Sequence, residues 1–216
     1  MILLFDLDGT LIDSTEAILE GFHHSFETHL HNHPSDAEIK ALVGHPLDVM
    51  FAELGVPSER VWDFVDTYKE HYRKISTLKT ELLPEARETI ELVSEFAQLG
   101  IVTTKTGKYS RVLMEHFGLM DKFDVLIGRE DVINPKPHAE PIEKALNSFG
   151  NLKGKDIWMI GDTELDLLSA QNAGVKGLGV LSGYGEENTL KKYTSTIFNN
   201  TFEAARYLQS LKKTHI

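Results

Sequence analysis

The chain has 216 residues, of which 41% are hydrophobic and none is cysteine, so it can build a core and a small second domain but no disulfide and no cysteine-ligated metal site. The net charge of −11 argues against nucleic acid as the main partner. No apolar stretch approaches the roughly 18 residues of a membrane span and the start lacks a signal-peptide pattern, so we expect a cytoplasmic protein with no membrane contact.

Short apolar runs bounded by turn residues predict five strands, which are Ile2–Phe5, Ile101–Thr104, Phe123–Ile127, Ile157–Ile160 and Gly177–Leu181. Helical patterns fall between most of them, at Glu85–Leu99, Ser110–Phe117, Glu140–Phe149 and Glu164–Ala173. Strands that alternate with helices predict parallel pairing, and strands that are apolar throughout fit a sheet covered on both faces. The fold class is therefore α/β, with a doubly wound, Rossmann-like parallel sheet.

Residues 14–82 break this alternation, because their apolar positions recur at helical spacing and form no convincing strand. A block of this length is too long for an ordinary connection. We therefore predict an all-helical cap domain at 14–82, inserted into an α/β catalytic core made of 1–13 and 83–216. The stripe from Trp62 to Tyr72 is predicted to form the core of this cap.

Histidines are frequent at the start of the predicted cap, at His23, His24, His29, His31 and His33. Their spacing is irregular and does not match a metal-ligand pattern. We interpret them as part of a solvated helix face and treat a metal site as the less favoured alternative.

Polar and charged residues follow several of the predicted strands. They are Asp6 and Asp8 after the first strand, Thr103 and Thr104 at the end of the second, Lys136 in the loop after the third, and Asp162 and Asp166 after the fourth. In doubly wound sheets, ligands bind outside the carboxyl ends of the strands. We therefore expect carboxylates, hydroxyls and one ammonium group to meet at one edge of the sheet.

This set of motifs resembles the haloacid dehalogenase superfamily, in its phosphatase branch with a helical cap. The segment Asp6-Leu7-Asp8-Gly9-Thr10 is similar to the first motif of the family, Thr103 to the second, Lys136 to the third, and Gly161-Asp162 with Asp166 to the fourth. The order and spacing of the motifs and the position of the cap agree over essentially the whole chain. The resemblance thus implies an enzyme.

The resemblance also implies a role for each motif residue. Asp6 would be the nucleophile and Asp8 the general acid and base. Mg²⁺ would be held by Asp6, the backbone carbonyl of Asp8 and Asp162, with Asp166 in support. The phosphate would be bound by Thr103, the amide of Thr104 and Lys136. A carboxylate nucleophile divides phosphate ester hydrolysis into two displacements through an aspartyl-phosphate. Oxygen ligands without cysteine or histidine favour Mg²⁺.

Within the superfamily, Asp8 argues against the dehalogenases and the phosphonoacetaldehyde hydrolases, which carry other residues there. The sugar phosphomutases are more similar, but His45-Pro46 replaces their cap arginine. We expect a Mg²⁺-dependent phosphatase of a small phosphorylated metabolite, with a phosphoglycolate-like monoester favoured and a pyrophosphatase or a sugar phosphomutase as alternatives. An alternative from another class is a phosphate-accepting receiver domain of a signalling protein, which would lack a helical insertion after its first strand.

Overall fold

A computed structural model describes residues 1–30 and 32–213, and within them six strands form one parallel sheet beside a small two-stranded ladder. The strands are β1 (Ile2–Phe5), β2 (Ile12–Asp13), β3 (Glu81–Leu82), β4 (Gln98–Val102), β5 (Val125–Ile127), β6 (Ile157–Gly161), β7 (Lys176–Val180) and β8 (Ile197–Phe198). The order across the large sheet is β5-β4-β1-β6-β7-β8, which places β1 at its centre. The predicted α/β fold is confirmed.

The helices are α1 (Thr15–Thr28), α2 (Asp36–Lys40), α3 (Leu47–Glu53), α4 (Val61–Ile75), α5 (Ala86–Ser94), α6 (Gly107–His116), α7 (Glu140–Asn147), α8 (Glu164–Asn172), α9 (Glu187–Leu190) and α10 (Thr201–Lys213). Successive side chains of a strand point to opposite faces of the sheet. Helices cover both faces of the large sheet and bury these side chains. In β1, Leu3 and Phe5 pack with residues of α5, α6 and α10, whereas Ile2 and Leu4 pack with residues of α7 and α8. The side chains on both faces of β1 are therefore buried, as predicted for a sheet that is covered on both faces.

The boundary between α5 and β4 differs from the prediction. The helical pattern predicted over Glu85–Leu99 ends as a helix at Ser94, and β4 already begins at Gln98. Parallel pairing of β4 with β1, in which Gln98 lies opposite Ile2, extends the strand into the end of the helical pattern. Thr103 and Thr104 consequently lie just beyond the strand rather than inside it. Strand β8 and helix α10 were not predicted.

Helices α1 to α4 follow β2 and precede β3, and they enclose a hydrophobic cluster of their own that includes Phe22, Phe51, Phe64 and Tyr68. Trp62 was predicted to belong to this cluster, but the prediction is wrong because its surface is 58% exposed. The buried residues of α4 recur every three or four positions, and Trp62 falls one residue away from that stripe.

The two connections between this helical segment and the sheet meet in the small ladder. Strands β2 and β3 pair antiparallel, with Ile12 opposite Leu82 and Asp13 opposite Glu81. The ladder brings a short strand into a region where the sequence indicated none, because two residues carry no measurable periodicity. Among the described residues, no helix combines the length and apolar character of a membrane span.

The histidines of α1 make local contacts. His23 Nε2 lies 2.7 Å from Asp36 Oδ1. The rings of His24 and His71 stack with 4.0 Å between their centroids, and His29 stacks on Phe64. His31 lies outside the described residues. Among the described residues, these histidines form no group of possible metal ligands, whereas three carboxylates elsewhere do.

Candidate active site

Asp6 is the first residue after β1, and it is buried at the carboxyl edge of the sheet with 3% of its surface exposed. Its partner is Lys136, whose ammonium lies 3.0 Å from Asp6 Oδ1. The same ammonium donates hydrogen bonds to Asp166 Oδ1 at 2.6 Å and to the Val102 carbonyl oxygen at 3.1 Å. Lys136 thus links the ends of β1 and β4 and the first turn of α8 in one buried charge network.

Asp162 follows β6, and both of its carboxylate oxygens accept hydrogen bonds. Thr10 Oγ1 donates to Oδ1 at 3.0 Å, and the backbone N–H of Tyr184 donates to Oδ2 at 2.8 Å. Thr10 is the last residue of the motif that starts at Asp6. This one motif therefore contributes both Asp6 and a hydrogen-bond donor to Asp162. Tyr184 was not predicted, since a backbone donor leaves no sequence signature.

Asp166 lies in the first turn of α8, where it completes a capping box. Its Oδ2 accepts hydrogen bonds from the Thr163 backbone N–H at 3.0 Å and from Thr163 Oγ1 at 2.9 Å. Its Oδ1 already accepts the bond from Lys136. Both oxygens of Asp166 are therefore occupied by protein donors, which suits a supporting position.

Two glycines allow the chain to pass close to Asp162. A Cβ on Gly9 would lie 2.3 Å from Asp162 Oδ2, and one on Gly183 would lie 2.1 Å from the same oxygen. Gly9 also has φ of +79°, a left-handed conformation that favours glycine. Gly183 forms part of the wall around this carboxylate.

The carboxylates of Asp6, Asp162 and Asp166 offer oxygens that all lie within 4.8 Å of one another. Burial raises the pKa of Asp6 to about 6; the Lys136 ammonium acts against this rise, and the charges of Asp166 and Asp8 add to it. Burial, followed by the charges of Asp166 and Asp6, raises the pKa of Asp162 well above its usual range. Crowded anionic oxygens in a buried site are what a divalent cation would compensate.

Asp6 Oδ1 supplies a further reason to place a cation here. Although Lys136 lies at 3.0 Å, this buried oxygen accepts no hydrogen bond of proper geometry. An all-oxygen donor set without histidine or cysteine fits Mg²⁺. Asp6 and Asp162 fit a metal site, as the sequence predicts. The side chain of Asp8 is not part of this acidic cluster, so its predicted contribution rests on its backbone carbonyl.

Asp8 instead faces Lys105. The Lys105 ammonium lies 3.1 and 3.0 Å from the two oxygens of Asp8, and Ser14 Oγ donates to Asp8 Oδ1. Burial acts to lower the pKa of Lys105, but the charge of Asp8 and two nearby tyrosines hold it well above its usual value. Lys108 is exposed, whereas the Lys105 side chain is only 10% exposed.

Thr103 and Thr104 follow β4 at the same edge. Thr103 is buried, its backbone N–H donates to the Ile127 carbonyl oxygen, and its Oγ1 accepts a bond from the Lys105 backbone N–H at 3.2 Å. The Thr104 hydroxyl donates to the Gly44 carbonyl oxygen at 2.8 Å. That bond joins the sheet edge to the helical segment, so the Thr104 side chain is engaged there.

A cavity lies between this edge and the helical segment. It has a volume of about 50 Å³, counted as the space open to the centre of a water molecule. Asp8, Thr104 and Lys105 line it from the sheet side, and residues of α1, α3 and α4 close the other side. The acid and base candidate thus faces a small, partly open space between the sheet edge and the helical segment.

Comparisons with known proteins support one family. The model of the haloacid dehalogenase-like hydrolase family matches residues 3–180. The chain belongs to this family. It is 39% identical over 174 residues to a protein named pyrophosphatase PpaX from Halalkalibacterium halodurans, a match that covers 80% of each chain.

Solved structures of the family share the fold. A haloacid dehalogenase-like hydrolase from Streptococcus pneumoniae superposes with a TM-score of 0.85 at 28% identity, covering 96% of this chain and 97% of that one. A structure described as a predicted phosphatase from Clostridium acetobutylicum gives a TM-score of 0.87 at 26% identity, covering 97% and 98%. The resemblance inferred from the motifs is confirmed. The helical insertion after the first strand is the feature expected to separate this family from receiver domains.

The raised pKa of Asp6 gives a pH-dependent expectation for the metal-free protein. The folded-state pKa of about 6 lies above the usual carboxyl range, so the stability that a protonated Asp6 contributes is present below an unfolded pKa of about 4 and is lost as the pH rises through 6. Asparagine does not titrate. Asp6→Asn should therefore gain stability relative to wild type as the pH rises from about 4 to about 6.5, by at most about 3 kcal/mol in the free energy of unfolding. Urea unfolding in EDTA measures this, and a difference that stays constant with pH would contradict it.

Proposed function

We propose that the protein is a Mg²⁺-dependent phosphatase that acts through an aspartyl-phosphate on a small phosphorylated compound. Its preferred leaving group is itself an anion, with pyrophosphate as the first substrate and a phosphoglycolate-like monoester as the second. The observation that carries the proposal is the placement of Asp6, buried in contact with the Lys136 ammonium at the end of the central strand. The match to a pyrophosphatase over 80% of each chain supports the order of the two substrates.

In the first step, an oxygen of Asp6 attacks the phosphorus while the bond to the leaving oxygen breaks. The bonding electron pair leaves with that oxygen, and Asp8 supplies a proton where the leaving group needs one. The Lys136 ammonium stays beside Asp6 and compensates the charge of the incoming phosphate. The bound cation would supply Lewis-acid stabilisation of the phosphate charge from a site held by Asp6, the Asp8 carbonyl and Asp162.

In the second step, water attacks the phosphorus of the aspartyl-phosphate. Asp8 takes the proton of that water, the bond from phosphorus to the Asp6 oxygen breaks, and inorganic phosphate is released. In this proposal, Thr103 and the amide of Thr104 hold phosphate oxygens. Asp6 ends the cycle as a free carboxylate.

An anionic leaving group fits the charges around Asp8. Lys105 lies against both Asp8 oxygens and lines the cavity, and Lys69 lines the same cavity from α4. A departing phosphate or a carboxylate-bearing alcohol would meet these ammonium groups. We propose that residues 14–82 act as the cap that supplies this surface, since they carry their own hydrophobic cluster and close one side of the cavity.

The metal gives the test of this function. We expect purified protein to release phosphate from pyrophosphate in Mg²⁺, to lose that activity in EDTA, and to regain it with added Mg²⁺. Ca²⁺ should restore little, because it takes more ligands at longer distances and would misplace the nucleophile. Colorimetric phosphate release, with phosphoglycolate and p-nitrophenyl phosphate as parallel substrates, measures this. Full activity in excess EDTA would refute the metal assignment.

A further inference from the structure

Buried polar atoms in folded proteins almost always have a hydrogen-bond partner, and leaving one without a partner costs stability. Among the described residues, the buried side-chain atoms without such a partner are Asp6 Oδ1, Tyr72 OH, Thr80 Oγ1, Arg129 Nε and Trp158 Nε1. Of these residues, Tyr72 lines the cavity next to Asp8. The proposed cation would satisfy Asp6 Oδ1, whereas the hydroxyl of Tyr72 has no role in the mechanism above.

Tyr72 lies near the end of α4, and 1% of its surface is exposed. Its ring stacks on that of Tyr68, with 5.4 Å between the ring centroids, and its centroid lies 6.3 Å from that of Tyr109. Neighbouring aromatic rings therefore hold its orientation. The Lys105 ammonium lies 4.8 Å from the centre of the Tyr72 ring. The Tyr72 ring and the Lys105 ammonium are therefore in contact, and both residues line the cavity beside Asp8.

We propose that Tyr72, together with Lys105, forms the binding site for the leaving group. The Tyr72 hydroxyl donates a hydrogen bond to an oxygen of a small anion, and Lys105 compensates the charge of that anion. This inference rests on the proposed function, since it assigns the part of the substrate that departs from phosphorus. It commits the site to a phosphate or a carboxylate rather than to a neutral alcohol.

The remainder of the cavity limits the size of this anion. Ile18, Phe22 and Met50 line one part of it with apolar side chains, polar side chains such as His45 and Tyr109 line another part, and its volume is about 50 Å³. Apolar walls offer no hydrogen bonds to the hydroxyls of a sugar, which would stay unpaired if buried there. A compact group whose oxygens converge on Tyr72 and Lys105 suits the space, and the second phosphate of pyrophosphate has that form.

The test compares Tyr72→Phe with wild type on substrates with different leaving groups. We expect kcat/KM for pyrophosphate to fall about tenfold or more, because a hydrogen bond to a charged group is lost. The value for p-nitrophenyl phosphate, whose leaving group carries no formal charge in the substrate, should change by less than about twofold. The melting temperature should not fall, because the hydroxyl removed had no partner in the free protein.

Matched variants separate this role from a general effect. Tyr207→Phe removes the hydroxyl of a tyrosine that packs on Trp158 and Phe198, outside the cavity lining, and should leave both substrates unchanged. Lys105→Gln should lower the ratio of pyrophosphate to p-nitrophenyl phosphate activity, whereas Lys108→Gln, at an exposed lysine three residues on, should not.

The outcomes distinguish this inference from the proposed function. Tyr72→Phe would overturn the leaving-group site if it lost activity equally on both substrates or on neither. The site would also be overturned if wild type hydrolysed p-nitrophenyl phosphate but neither pyrophosphate nor phosphoglycolate. In each of these cases the proposed phosphatase activity would still hold. If wild type hydrolyses nothing, the proposed function fails, and calorimetry with Mg²⁺ and imidodiphosphate decides the site. Binding that Tyr72→Phe weakens would support it, and no binding to wild type would overturn it.

Discussion

Asp6→Asn is expected to lower turnover of every phosphorylated substrate by about 10⁴-fold or more, because a neutral amide cannot accept the phosphoryl group. The fold should survive the change, since it removes one charge from a buried cluster in which Asp162 and Asp166 remain. Initial rates of phosphate release in Mg²⁺, with circular dichroism as a check on folding, measure the effect. Asp121→Asn, at an exposed carboxylate far along the chain, is the control and should retain full activity.

Asp8→Asn should fail in a different way. The nucleophile is intact, so the first displacement can proceed with an activated leaving group, but the attacking water has lost its base. Intact-mass measurement after acid quench should then show an added phosphoryl group on Asp8→Asn and none on Asp6→Asn. An adduct on the Asp6→Asn protein instead would reverse the assignment of nucleophile and acid.

Lys136→Met is expected to destabilise the metal-free protein by about 3–5 kcal/mol, because the buried carboxylates of Asp6 and Asp166 lose the ammonium that they share. Urea unfolding in EDTA measures the change. Lys74→Met breaks an exposed pair with Glu70, one helical turn away, and should cost no more than about 0.5 kcal/mol.

The loss in Lys136→Met should depend on pH in a defined direction. Without the ammonium, burial and mutual repulsion raise the pKa of Asp6 further above its unfolded value, so the folded variant binds protons more readily than the unfolded chain. Its deficit relative to wild type should grow as the pH rises above about 6 and shrink as the pH falls back towards 6. A deficit that does not change with pH would show that Lys136 stabilises the fold by packing rather than by charge.

The centre of the fold was readable from the sequence because its signals are local. β1 and β6 are apolar runs that end directly in carboxylates, so periodicity and motif place Asp6 and Asp162 together. The start of β4 was not readable, because the apolar residues around Leu99 also continue the helical pattern of α5. Pairing with β1 decides between the two, and that contact joins residues almost a hundred positions apart.

The parts of the site that were missed depend on distant contacts as well. A lysine in a loop is normally solvated, and Lys105 is buried only because Tyr72 and Asp8 close around it from other elements. Tyr184 acts through its backbone N–H, to which its side chain gives no clue. The roles assigned to the motif residues stay predictions until the variants above are measured.

The two-residue ladder of β2 and β3 has a consequence for how this enzyme architecture can diversify. Paired residues on neighbouring strands lie about 5 Å apart, so the insertion that starts after Asp13 returns to nearly the same point at Glu81. The two ends of the insertion are therefore adjacent, as the ends of a single loop would be. A recombination event could exchange that loop for another of different length without moving Asp6, Lys136 or Asp162. If residues 14–82 act as the proposed cap, the chemistry and the choice of substrate can then evolve separately within one chain.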